Sequence, residues 1–561
     1  MRINFLFSFL FLATMVSYAQ VKFNSPYSRL GVGDISLAGY SYNRGMAGVG
    51  VSNGSLFFIN NVNPAMLQRN KYTVYEVGVE GQFRGLSSAD GSQSNGDINI
   101  DHLAFSLPIN RLNIGFGLKK YSQVNYNITT TSEINAADYS EIAYSGKGGL
   151  NEFGMTSAYR LVQDTATNTT FSLGVSANYI FGQITRSQTT ELFVDGSTQG
   201  ERFTNETRNS YNGFQFKTGL SIRKELLYAT RSQIVSNSQG QDSTTRENTF
   251  MYKDVIAEVA NNAKIGKYAI IYPYRKGILL DNNIHKDEDI DRLISLYRGL
   301  AGKNYGVYVL ENAKNATVKE LKAEFIALTV DDAESASINS DVLGYTNKFI
   351  RKHSGFYLNA GLSYDVKANL NGTTDQYLNR NSISGLVISK DTLATGISTS
   401  LALPSTFRAG ISIDKTPVQS ELSRLWTLGL DVAYTKWSQF SDQVTETPYN
   451  DNYRISLGGE ITPHVASKNY LKRITYRAGA FYGSVPYKIN GTTFSDVGIN
   501  FGVSLPVGIF TASNPPRYVN LAMTLGQRGT LDNNLIKEKY ALISLSFNFN
   551  SRWFERYKLG L

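Results

Sequence analysis

The chain has 561 residues, with 35 Tyr, 30 Phe and 49 Gly, no cysteine, and a net charge of +9 from 55 basic and 46 acidic residues. The missing cysteine excludes a disulfide framework and a cysteine-linked lipid anchor, and the basic residues form no cluster of the kind that grips nucleic acid. Many aromatics and glycines at a mean hydropathy of −0.24 suit a membrane β-barrel, in which each strand alternates apolar and polar residues.

Residues 1–19, ending Ser17-Tyr18-Ala19, carry an arginine, an apolar run from Phe5 to Val16 and a small-x-small ending. This predicts a secretory signal peptide, because the run is too short to span a bilayer. A glycine-rich segment, 20–70, follows and ends in FINNVNPAML. Pro64 lacks a backbone donor and biases Asn63 toward extended conformations, so a sheet ladder cannot begin until after it.

Beyond residue 70, period-2 alternation recurs, as in Leu103, Phe105, Leu107 and Ile109, or Ala541, Ile543, Leu545, Phe547 and Phe549. It predicts fourteen strands near 72–84, 102–109, 112–128, 151–162, 169–184, 211–223, 355–367, 405–414, 425–440, 452–462, 471–482, 494–505, 518–526 and 538–550. Connections after even-numbered strands are mostly brief, while 129–150, 185–210 and 368–404 after odd-numbered ones are long and polar. Outer-membrane barrels keep short turns on the periplasmic side, which places the start of the barrel there.

The exception lies between the sixth and seventh strands. Residues 241–350 hold 14 Lys+Arg and 16 Asp+Glu, and the apolar period changes. Stripes at Tyr252–Ala263, Ile290–Leu300 and Val318–Ile326 alternate with YAIIYPY and YGVYVL. Helices alternating with short strands predict a small α/β domain over 224–354. Its place after an even-numbered strand puts it in the periplasm, with a large extracellular domain as the alternative. The expected fold is thus all-β: a 14-stranded transmembrane antiparallel β-barrel (71–223 and 355–550) with an inserted domain and a C-terminal tail, 551–561.

Three features resemble the long-chain fatty-acid outer-membrane transporter (FadL/TodX) family. They are the glycine-rich leader ending in Asn63-Pro64-Ala65, the Leu403-Pro404 strand with Trp437-Ser438-Gln439-Phe440, and the strand count. The resemblance implies that 20–70 fold into the lumen as a hatch. It also implies that hydrophobic compounds leave sideways at a kinked third strand. A lumen of this size cannot be filled by its own wall, which agrees with a plug, and Gly31, Gly33, Gly45, Gly48 and Gly50 suit a tightly turning plug backbone. In RLNIGFGLKKYSQVNYNI, Lys120 and Ser122 interrupt the expected lipid-facing row beside Gly115 and Gly117. That stretch is the candidate lateral gate, unless Lys120 sits at the outer interface against anionic lipid. The strand lacks the Pro-Phe-Gly pattern that many family members carry.

Two functions are compatible with this reading. One is an outer-membrane channel for a hydrophobic small-molecule ligand such as a long-chain fatty acid, gated passively by the hatch. The other is a structural barrel subunit of an envelope complex that docks a periplasmic protein partner through the insert. Both place the chain among outer-membrane lipids. The four histidines show no ligand spacing, so no metal, cofactor or enzymatic role is expected; Asp101-His102 reads as an ordinary surface pair.

Overall fold

The computed structural model describes residues 25–225 and 354–552 except for residue 90, 136–137, 165–166, 195–196, 383–385, 417–423, 443–448, 465–466, 490 and 509–514. Within 226–353 it describes little beyond seven strand segments. The expected signal peptide, residues 20–24 and most of the tail lie outside the described residues. The chain divides into two compact units, Met1–Glu225 with Gly355–Leu561, and Leu226–Ser354.

The first unit is a closed antiparallel barrel of fourteen strands. They are β1 (Thr73–Ser87), β2 (Ser92–Ile109), β3 (Leu112–Lys120 and Ser122–Glu133), β4 (Tyr139–Asp164), β5 (Thr169–Val194) and β6 (Ser197–Glu225). Then follow β7 (Phe356–Asp365 and Ala368–Asn381), β8 (Val387–Leu403 and Thr406–Lys415), β9 (Trp426–Thr435) and β10 (Asn452–Ile461). The last four are β11 (Thr475–Ser484), β12 (Ser495–Val507), β13 (Arg517–Arg528) and β14 (Lys537–Ser551). Closure is the pairing of β1 with β14, from Thr73 opposite Ser551 to Ser87 opposite Lys537. Alternate residues such as Tyr75, Val79 and Phe83 on β1 are exposed on the outer face while Glu76, Glu80 and Arg84 are buried toward the lumen. An apolar exterior around a polar interior is the arrangement a bilayer demands of a barrel.

The connections expected as long loops are instead strand. Residues 129–133 and 139–150 belong to β3 and β4, 185–194 and 197–210 to β5 and β6, and 368–381 and 387–403 to β7 and β8. These extensions stand beyond the apolar belt, where the outer face meets water and only part of the inner face, such as Leu150, Leu370, Leu401 and Leu403, is packed. Ser, Thr and Asn therefore replace the apolar alternation, and the sequence resembles loop while the backbone continues its ladder.

The tall sheet from β3 to β8 parts from the rest of the wall at two seams. The last rung between β2 and β3 joins His102 to Lys119, and the upper segment of β3 pairs with β4 and with the hatch residues Asp34–Ile35 instead. On the other side, β9 ends at the rung joining Thr406 to Thr435. Above it, among the described residues, the upper segment of β8 pairs only with Ser441–Asp442 on that flank.

In the second unit the strand segments form one antiparallel sheet in the order 242–246, 228–236, 344–352, 324–329, 304–310, 268–272 and 276–279. The stretches YAIIY and YGVYVL lie in strands, and Phe325 and Ile326, expected on a helical stripe, lie in the strand Glu324–Thr329. The other two expected helices fall outside the described residues.

Candidate functional site

Residues 25–70 run through the lumen from the end of the hairpin turns at 88–91 and 529–536 to the end at which β1 begins. Their course is set by short turns: a 3-10 turn Pro26–Arg29, a four-residue helix Ser41–Arg44, and a 3-10 helix Pro64–Arg69. Gly33 and Gly48 hold φ of 92° and 86°, a left-handed region that glycine enters without cost.

Asn63-Pro64-Ala65 is the knot of this segment. The Asn63 side-chain carbonyl accepts from Ala65 N (3.0 Å), capping the 3-10 helix. Its amide donates to Val51 O (2.7 Å) within the hatch and to Leu220 O (3.0 Å) on β6. Asn60 supports it by accepting from Val62 N and donating to Gly50 O and Asn53 O at 2.8 Å each. The motif thus joins the hatch to the wall through satisfied hydrogen bonds, and a buried hydrogen-bonded asparagine of this kind is costly to replace.

The wall makes room at this level by omitting side chains. Gly174 faces Gly219 across β5 and β6, Gly361 faces Gly410, and Gly458 faces both Gly429 and Gly479. A Cβ on Gly174 would overlap Pro64 and Ala65, one on Gly361 would overlap Val51, and one on Gly458 would overlap Met46. Gly115 and Gly117, the candidate gate glycines, do the same for Leu67 and Tyr40.

Charged wall residues hold the hatch at three heights, by ion pairs at the upper and middle levels and by hydrogen bonds at the lower. At the upper end, Arg528 donates to Asp34 (2.8 Å) and Glu538 (2.8 Å), Arg84 reaches the same two carboxylates, and Ser25 donates to Glu538 (3.2 Å). Burial alone would raise the Asp34 carboxyl, but the Arg528 and Arg84 guanidiniums outweigh it and hold it below its ordinary value. At mid-height, hatch Arg44 donates to Glu80 (2.5 Å), Asp101 (2.8 Å) and Ser544 (2.9 Å). At the lower end, Arg424 of the wall donates to hatch Asn53 (2.5 Å) and to Glu460 (3.0 Å), which also accepts from Arg477 (3.1 Å). Between these levels Asp431 of β9 accepts from the backbone of Gly50 (2.7 Å) and Val51 (2.8 Å).

Asp101-His102 is no surface pair. A bulge opposite Gly78 and Val79 turns both residues inward. His102, 1% exposed, lies 2.8 Å from Asp101 and 3.4 Å from Glu76, with the Tyr40 ring of the hatch stacked on it at 4.0 Å. Sequence reasoning missed this group and its partner Arg44. The available signal was the run of charges Glu76, Glu80 and Arg84 on the lumen parity of β1, which only charges from elsewhere could offset.

Lys120 and Ser122, expected on the lipid-facing row, turn inward because the strand breaks at Tyr121 and its parity shifts. The Lys120 amine is 2.8 Å from Gln123 Oε1 and 3.9 Å from Glu80, and Ser122 is buried opposite Ile35. The end of the β2–β3 ladder lies beside these residues, with the hatch strand paired along it. Trp437–Gln439 form a 3-10 turn rather than a strand end. Gln439 accepts from Ser405 N (3.2 Å) and Oγ (2.9 Å), and Trp437 and Phe440 pack together at 5.3 Å. This motif closes the break that Pro404 makes in β8, at the second seam. Between hatch residues 33–39 and 61–62 and the wall lies a cavity of about 280 Å³ whose lining combines Lys119, Glu152, Lys217, Asp365 and Arg408 with aromatic residues such as Trp437 and Tyr487. Arg408 and Lys217 lie 2.8 and 3.7 Å from Asp365, and Lys119 lies 3.4 Å from Glu152. Among the described residues no cluster of potential metal ligands occurs.

Several solved structures share the outline at low identity. A FadL homologue from Pseudomonas aeruginosa is 11% identical over 92% of this chain and 99% of that one, with a TM-score of 0.44. The toluene transporter TbuX of Ralstonia pickettii is 10% identical over 92% and 98% (TM-score 0.41), and the toluene transporter TodX of P. putida 14% over 92% and 99% (TM-score 0.35). No curated protein matches the chain. A family match covers residues 1–275 and 302–560, nearly the whole length, and the chain belongs to the BamG family.

Proposed function

We propose that this protein is a structural outer-membrane barrel, an accessory subunit of an envelope complex that docks a periplasmic protein partner through residues 226–354. The observation that carries the reading is the fixed hatch in a charged lumen. Buried ion pairs hold the plug at two heights and hydrogen bonds from Arg424 at a third, and in the cavity beside it paired charges interrupt the continuous apolar surface an oily solute needs. The insert supports it further, since a passive uptake channel has no use for a domain of that size. It leaves the barrel from the end holding the two-residue turn Asn110-Arg111, the end expected in the periplasm.

Passive uptake of hydrophobic small molecules such as long-chain fatty acids is the second reading. The seam between β2 and β3 favours it, because above His102 β3 is joined there to the hatch, through Asp34–Ile35 and Ser25, rather than to β2. Mass spectrometry of the native protein extracted in detergent separates the two. A stoichiometric protein partner lost on deleting 241–350 supports the structural role. A bound apolar molecule, lost when Asn63-Pro64-Ala65 is replaced and unaccompanied by any partner, refutes it in favour of uptake.

A further inference from the structure

At the mouth where β1 begins, the end of the hatch meets the lower rims of β4 to β9. A cavity of about 130 Å³ opens there. Its charged lining is Arg69, Lys71, Arg160, Arg223 and Arg424 against the single acid Asp164. Asp414 and Glu460 just outside the lining offset Arg223 and Arg424, so the cations still outnumber the acids around the cavity and favour an anion there.

The arginines differ in what they already hold. Arg223 donates to Asp414 at 2.6 Å and lies 3.5 Å from the Tyr357 ring centre, and Arg424 is engaged with Asn53 and Glu460. Arg160 donates to Gln68 at 2.8 and 3.1 Å. Arg69, at the C-terminal end of the 3-10 helix, forms no hydrogen bond and no ion pair with any described residue. It lines both this cavity and a neighbouring one of about 80 Å³. Gly54 leaves its place open, since a Cβ there would sit 2.5 Å from Arg69 Cγ. Burial first, then Arg223 and Arg424, push the Arg69 guanidinium down to about 9, with Asp414 acting the other way. It is therefore charged at neutral pH and short of a counter-ion. The uncharged lining, with Ser52, Gln68, Asn168, Thr170, Ser221 and Thr416, supplies neutral donors of the kind that complete the shell of an oxyanion.

We infer that this cavity binds a phosphate group, with Arg69 as its principal ligand and Arg223, Arg424 and Arg160 around it. The planar guanidinium fork matches phosphate oxygens in pairs, which an ammonium does not. The inference does not depend on either reading of the protein's overall role. The phosphate can belong to a free ion or to a lipid headgroup at the same mouth, and the two arms of the test separate these sources.

The test uses the full-length protein in neutral detergent, titrated calorimetrically with inorganic phosphate at constant ionic strength set by chloride. Saturable binding that weakens tenfold or more in Arg69→Gln is expected. No saturable binding by the parent protein, or equal affinity in R69Q, overturns the inference. In the second arm, phosphatidylglycerol is added and bound lipid is counted by native mass spectrometry. Retention by the parent protein and loss in R69Q identifies a headgroup, provided that inorganic phosphate competes; retention without competition overturns the site. Folding is checked by heat-modifiable migration on gels. If R69Q fails that check, Arg160→Gln at the cavity rim replaces it and must weaken binding at least threefold.

Discussion

Replacing Arg44 by methionine should unseat the middle of the hatch. Arg44 is 4% exposed, and its guanidinium serves two carboxylates, Glu80 at 2.5 Å and Asp101 at 2.8 Å, plus the Ser544 hydroxyl. Removing one member of a buried ion-paired group costs about 3–5 kcal/mol, because the charges left behind are neither solvated nor paired. Here Lys120, 3.9 Å from Glu80, and His102, 2.8 Å from Asp101, remain as partial counter-ions. That puts the loss at the low end, about 3 kcal/mol, or roughly a hundredfold in the equilibrium for hatch opening. Hydrogen exchange of peptides spanning residues 37–51, measured in micelles, should speed up by that factor, and planar bilayers should record openings absent from the parent protein. Replacing Arg44, Glu80 and Asp101 together with apolar residues of similar size should recover most of the protection. If R44M exchanges within about threefold of the parent, or the triple variant is as open as the single one, the buried ion pairs are not what holds the hatch.

Asn63→Ala removes a helix cap and two hydrogen bonds to buried carbonyls; at about 1 kcal/mol each it should cost about 3 kcal/mol in hatch seating, read as faster exchange of residues 58–68. Gly361→Val should block seating altogether, because its side chain would occupy the place of Val51, whereas Gly81→Ala on the outer face, with nothing closer than 3.7 Å, should leave heat-modifiable migration unchanged. Asp34 gives the pH dependence. Its folded value is depressed, so its contribution is complete above the ordinary carboxyl value of 3.8 and fades as pH falls below it. Pepsin cleavage within 25–40 should therefore rise steeply below about pH 4, and Asp34→Asn should weaken protection at pH 5–6 while flattening that acid step.

The strand count was legible because a bilayer imposes period-2 alternation wherever a strand crosses it. Where the strands leave the bilayer that constraint ends, so the upper halves of β3 to β8 were indistinguishable from Ser/Thr-rich loops. Asn63-Pro64-Ala65 could be recognised as a boundary, but not as the residue set that caps one hatch helix and grips β6, since those partners lie 157 residues or more apart in sequence in the case of Asn63 and Leu220. Lys120 was misplaced for a local reason, the break at Tyr121, which shifts parity without any proline or glycine to announce it. Asp101-His102 was misread for a similar one: a bulge brings consecutive residues to the same face, contrary to the alternation that identified the strand.

The belt of wall glycines has a consequence for how the molecule forms. Gly174, Gly219, Gly361, Gly410, Gly458 and Gly479 accept the hatch backbone so closely that it cannot slide past them into a finished cylinder. The hatch is continuous with β1, and β1 is one partner of the pairing that completes the circle. Assembly should therefore wind β2 to β14 around an already seated hatch and zip β14 onto β1 last. A disulfide engineered between Gly81 and Ile543, which face each other on those two strands where a Cβ on Gly81 meets nothing closer than 3.7 Å, would report that final event, and hatch peptides should gain exchange protection before it forms.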